Sequence, residues 1–118
     1  MGAKNLELGR DTMSTRWLQD IVWRTAKDVG YEKYFVERPE GVGGDDHEPF
    51  LRAGIDSLDL IQLAGYPYWH RADDTLDKVS AQSMKVVGDV VLATLPKIAE
   101  RVLATTGTTP SPRAATPE

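Results

Sequence analysis

Two long stretches of the chain repeat their apolar positions at helical spacing. Between Thr15 and Val29, Trp17, Leu18, Ile21, Val22, Ala26 and Val29 fall on one helical face, with Ser14 placed as the N-cap and Gly30 as the stop. After Ser80, a second candidate cap, Met84, Val87, Val91, Leu95, Ile98 and Val102 keep the same period for about six turns. Pro96 is expected to bend that helix, because its ring removes the hydrogen bond to the Leu92 carbonyl. One-sided faces of this kind need a cover, and a sheet is the natural one.

The remaining pattern predicts strands and breaks. Asn5 to Leu8 reads as a short strand ending before Gly9, and Tyr31 to Glu37 as an extended aromatic segment. Ser57 to Leu63 alternates, with Leu58 and Leu60 on one side and Asp59, Ile61 and Leu63 on the other. An aspartate among such neighbours needs a partner. Between these segments, Pro39, Gly41, Gly43 and Gly44 predict a loop over Arg38 to Gly44. Pro49 predicts a short helix capped by an aspartate, anchored by Phe50 and Leu51, and ended at Gly54. The pattern is that of one α/β domain over residues 1–105, followed by a disordered Thr- and Pro-rich tail over 106–118 with almost nothing to bury.

Composition narrows the class. The 118 residues suffice for a single core, and 41% of them are apolar, as in ordinary globular domains. The net charge is −4 and the 14 basic residues are scattered, so no basic stripe is available to track a nucleic-acid backbone. Cysteine is absent, which leaves His, Asp and Glu as the only strong metal ligands. The opening "MGAKNLELGRD" lacks the apolar core of a signal peptide, and no apolar run approaches the roughly 20 residues of a membrane span. The glycines of "GVGGDDH" lead into Asp45 and Asp46 rather than Lys and Ser or Thr, which excludes a phosphate cradle.

The candidate chemistry lies between Asp45 and Ser80, which holds both histidines, His47 and His70. Zinc accepts imidazole and carboxylate, but no HExxH-like spacing sets two ligands on one helical face here. Both readings therefore stand at this point: a metal site, or helix-capping aspartates with surface histidines. Tyr66, Tyr68 and Trp69 either line a substrate pocket or pack in a core. Asp73, Asp74 and Thr75 suit the cap of the following turn, Trp17 and Trp23 suit packing, and His47 suits a hydrogen-bonded structural role.

"DDHEPFLRAGI", "DLI", "YWH" and "DDTLDKVSAQSMKVVGDVVLATLP" resemble, in that order, the C-terminal part of metallopeptidase family 28, the zinc aminopeptidases that include the glutaminyl cyclases. "RDTMSTRWLQDIVW" resembles the segment after a family strand, so the likeness spans roughly residues 1 to 103. It implies a partial three-layer α/β/α sandwich of the zinc exopeptidase type, a mixed sheet flanked by helices. It places His70 at the family's last zinc ligand. Asp45 falls on an acidic residue of the hydrogen-bond network around the catalytic glutamate, and Trp69 on a pocket tryptophan beside the ligand. The substrate implied is a peptide N-terminus, either hydrolysed or, at glutamine, cyclised. Arg71 stands where the family has Thr and Asp56 where it has Pro, and the loop before Tyr66 is short. The family's other ligands and its general-base glutamate precede this segment, and "MGAKNLEL" resembles the part just after a family aspartate. The resemblance therefore implies a chain inactive alone, an exported parent protein, and either a missing N-terminal part or self-association through an open sheet edge. The other reading is a non-catalytic remnant that binds a protein partner.

Overall fold

The computed structural model describes residues 1–106. Strand β1 (Leu8–Asp11) is followed by helix α1 (Arg16–Asp28), strand β2 (Phe35–Glu40), short helix α2 (Glu48–Arg52) and long helix α3 (Ala81–Thr106). β1 and β2 pair in parallel, Leu8 opposite Phe35 and Asp11 opposite Glu40, with α1 as the crossover between them. An isolated antiparallel bridge joins Ala3 to Val79. This is the expected α/β architecture, in partial form.

β1 lies later than the pattern predicted, because Gly9 is inside the strand rather than at its end. A Cβ on Gly9 would sit 2.7 Å from the Arg38 carbonyl oxygen, so glycine is what lets β2 approach this closely. β2 in turn continues to Glu40, past the expected start of the loop at Arg38. Its last residues are held by β1 and by the Thr12 amide, which donates to the Glu40 carbonyl at 3.1 Å. Thr15, not Ser14, is the N-cap of α1, and the Ser14 hydroxyl is used elsewhere. His47, not an aspartate, precedes α2, and Phe50 is exposed rather than anchored.

The Ser57 to Leu63 segment is not a strand. Among the described residues no neighbouring strand offers it a ladder, and side chains satisfy its backbone and that of its neighbours instead. The Ser57 amide donates to Thr15 Oγ1 and the Asp59 amide to Ser14 Oγ, while Gln62 links to the backbone of Asn5 and Glu7.

Leu6, Leu8, Val22, Trp23, Ala26, Phe35, Val86, Val87 and Val90 form one buried cluster. Trp23 meets Phe35 edge-on at 5.3 Å and its indole N–H donates to the Val36 carbonyl, as its packing role predicts. The two helix faces are offset from the predicted ones. α1 buries Leu18, Gln19, Val22, Trp23, Thr25 and Ala26, while Val29 is exposed and Trp17 is half-buried with its N–H on Asp56. α3 buries Ser83, Val86, Val87, Val90 and Thr94, because α1 packs on that side. The predicted stripe residues Met84, Leu95 and Val102 stay exposed, together with Leu92. Ser80 caps α3 as expected, its hydroxyl accepting from the Ser83 amide, and the helix runs through Pro96. α3 is helical up to the last described residue, Thr106, where the tail was expected to start, and the rest of that tail lies outside the described residues.

Candidate active site

The two histidines occupy opposite environments. His47 is buried at the head of α2, and its Nε2 donates to Asp11 Oδ2 at 2.8 Å. Asp11 is itself buried at the end of β1, and the same oxygen accepts the Ser14 hydroxyl at 2.6 Å. The other ring nitrogen, Nδ1, faces Asp59 Oδ2 at 3.7 Å. Asp59 thus finds the polar surroundings that its sequence context demanded. Its carboxyl is pushed up to about 6, first by desolvation and then by a hydrogen bond with the Asp45 carboxyl. Asp45 moves the other way, below the usual carboxylate range, because the Asp46 amide donates to it and Asp59 does so as well. Asp45, from the resemblance, thereby joins Asp11, His47 and Asp59 in one cluster.

His70 lies in an exposed turn. It has φ 58°, the one non-glycine residue in the left-handed region among those described, and its ring lies 4.0 Å from that of Trp69. A non-glycine residue in this region costs on the order of 1 kcal/mol or more, so the turn around it must hold it there. Trp69 is also exposed. Arg71, which replaces the family Thr, is gripped by both oxygens of Asp73 at 2.8 and 2.9 Å. Asp73 therefore pairs with arginine rather than capping the turn at Leu76–Lys78.

The three aromatic candidates do not share one pocket. Tyr66 and Trp69 line a cavity of about 350 Å³ with Gln62, Leu63 and Val79. Tyr68 lines a different cleft that it shares with Tyr66, the two rings 5.5 Å apart, with the Lys78 ammonium 4.8 Å from the Tyr68 ring centre. The Tyr66 hydroxyl donates to Asp74, which pushes the phenol up to about 12. Among the described residues no group of three His, Asp or Glu side chains is arranged to hold a metal ion. The residues present therefore do not by themselves fit a zinc ion: His70 offers one imidazole. Asp11 and Ser14 are the cluster members that sequence reasoning missed. Nothing in their spacing marks them, since Asp11 meets His47 across 36 residues of chain.

Comparison with known proteins gives these features a family. The model of peptidase family M28 matches residues 3–95. The chain belongs to peptidase family M28. Within it, the chain is 28% identical over 83 residues to Aminopeptidase YwaD of Bacillus subtilis, a match spanning 63% of this chain and 18% of that protein. The crystal structure of an Acidobacteriales bacterium glutaminyl cyclase is 38% identical, with a TM-score of 0.79 over 85% of this chain and 36% of that one. A Zn-dependent exopeptidase from Parabacteroides distasonis is 28% identical with a TM-score of 0.71, over 77% of this chain and 35% of that one. The chain thus spans well under half the length of these M28 relatives. No helix among the described residues is long and apolar enough to cross a membrane.

Proposed function

We propose that this M28 chain acts as the C-terminal segment of a zinc-dependent enzyme working on peptide N-termini, by aminopeptidase hydrolysis or by cyclisation of N-terminal glutamine. The carrying observation is the Trp69–His70 unit, an imidazole held in a strained, exposed turn beside an indole that walls a cavity. In this reading His70 is the segment's zinc ligand, Trp69 and Tyr66 contact the substrate, and Asp45 presents its carboxylate to the proton-handling group. Tyr68 contributes from the neighbouring cleft. Because His70 is a single ligand, the reading requires further ligands and a general base beyond those described, and the isolated chain is inactive. The M28 relatives named above support both activities. Export of the parent protein is part of the same proposal.

A second reading, a protein-binding module, draws on the apolar face of α3. Leu92 is 68% exposed and Leu95 53%, and both edges of the two-stranded sheet are open among the described residues. Isothermal titration of the 118-residue chain with zinc, beside aminopeptidase and glutamine-cyclisation assays, tests the first reading. Weak zinc binding that disappears in His70→Ala and survives in His47→Gln, with turnover at background, is expected. Tight binding of one equivalent with turnover would overturn the segment reading, and binding unaffected by His70→Ala would remove His70 as the ligand.

A further inference from the structure

α3 carries a second apolar face on the side turned away from the core. Ser83, Val87, Val90 and Thr94 point one side of the helix inward. On the other side, Met84, Gly88, Val91, Leu95, Ile98 and Val102 follow one another at steps of four, three, four, three and four residues. That alternation is the 3.5-residue repeat by which one helix lies along another, whereas cover by a sheet or an extended peptide requires no such period. None of the six carries a charge, and Met84 and Val102, at the two ends of the seam, are 52% and 43% exposed. The charges of the helix lie off this seam: Lys85 pairs with Asp89, Lys97 reaches Asp28, and Arg101 sits over the Trp17 ring of α1. The residues after Thr106 include no Leu, Ile, Val, Met or aromatic side chain, so the chain's own end has nothing to lay on this face.

We propose that the cover is a second copy of this chain, its α3 antiparallel to the first about a two-fold axis level with Ala93. In that register the seam matches itself, as an isologous contact must. Met84 meets Val102 of the copy, Gly88 meets Ile98 and Val91 meets Leu95, so a smaller side chain opposes a larger one in every layer. The flanks decide the direction. Val87 and Thr94 on one flank are buried, while Leu92, Ala99 and Leu103 on the other are exposed. The two-fold axis sets the exposed flanks against each other, and Leu92 then packs on Leu92 of the copy. A parallel pair would instead set each exposed flank against the flank that the copy's own core already occupies. From Met84 to Val102 the seam runs about 27 Å, and closing it with its exposed flank buries on the order of 1,000 Å² in total. Stable assemblies start near 1,200 Å², so this dimer forms and dissociates with concentration. It is independent of the M28 chemistry, which it neither supplies nor requires.

The chain has no cysteine, so introduced thiols report the contact without background. Met84→Cys and Val102→Cys variants of the 118-residue chain are oxidised in air with copper phenanthroline at high protein concentration, each alone and as a mixture. Both positions are exposed, which leaves the core as it is. The mixture should give a disulfide-linked heterodimer, identified by mass. Each variant alone should stay largely monomeric, because across the two-fold axis its own two thiols lie about 27 Å apart, far beyond disulfide reach. Adding Leu95→Glu to both variants should lower the heterodimer yield at least about fivefold, since it places a charge inside the seam. Ala104→Cys, near Val102 in height but on the opposite side of the helix, is the control partner for Met84→Cys. Self-linking of each variant in preference to the mixture would overturn the antiparallel arrangement. A Met84→Cys and Val102→Cys mixture linked no more than the control mixture would overturn the second copy as the cover.

Discussion

Replacing His47 by Ala is the sharpest single perturbation of this fold. The substitution removes the Nε2 donor from Asp11, whose side chain is fully buried and whose Oδ1 already has no hydrogen-bond partner. One donor remains on the carboxyl, the Ser14 hydroxyl. Removing one member of a buried ion-pairing contact costs about 3–5 kcal/mol when the partner is left alone, and a charge-assisted hydrogen bond contributes about 1.5–3. With Ser14 still in place, a loss of about 2–4 kcal/mol follows. Against the roughly 5–15 kcal/mol of a domain this size, that lowers the melting midpoint by about 10–20 °C. His70→Ala supplies the control, because His70 is exposed and strained, and its loss should shift the midpoint by no more than about 2–3 °C. Thermal melts followed by circular dichroism at helix wavelengths, with both variants beside wild type, read the difference. A His47→Ala midpoint within 3 °C or so of wild type would refute the claim that this histidine pins β1 to α2.

Three further outcomes are expected. The Asp59 carboxyl is raised in the fold, so the folded chain binds more protons than the unfolded one between the ordinary aspartate value near 4 and about 6. Its contribution to stability is therefore complete below that window and lost as pH rises through it, and chemical denaturation of Asp59→Asn against wild type should show a flatter pH dependence there. A steeper or unchanged one counts against the raised carboxyl. Gly9→Ala should destabilise by about 1–3 kcal/mol, because its Cβ meets backbone at 2.7 Å and the strands must part; a denaturation midpoint equal to wild type would mean that β1 has slack. The chain should self-associate with increasing concentration in sedimentation velocity, and Leu92→Glu with Leu95→Glu should weaken this; a wild-type monomer at all concentrations rules the α3 face out as a contact surface.

Much of this molecule could be read from its sequence because the physics involved is local. The period of α1 and α3, the Ser80 cap and the stops at Gly30 and Gly54 depend on residues within a turn or two of one another, and they were legible. The ordered motifs from Asp45 to Pro96 carried the M28 family, since motif order survives without coordinates. What escaped depends on contacts made across the chain. Which face of α3 is buried depends on where α1 packs, so Val86, Val90 and Thr94 took the place of Met84, Leu95 and Val102. Ser57 to Leu63 has a strand's alternation but, among the described residues, no strand beside it, and an alternating pattern becomes a ladder only when a partner supplies the other half of each hydrogen bond. Gly9 reads as a breaker by composition and acts as a close-approach residue because β2 passes beside it. The Asp11–His47–Asp59 cluster is decided most fully by tertiary structure: its members come from β1, the head of α2 and an irregular segment, and burial gives their proximity its chemical effect.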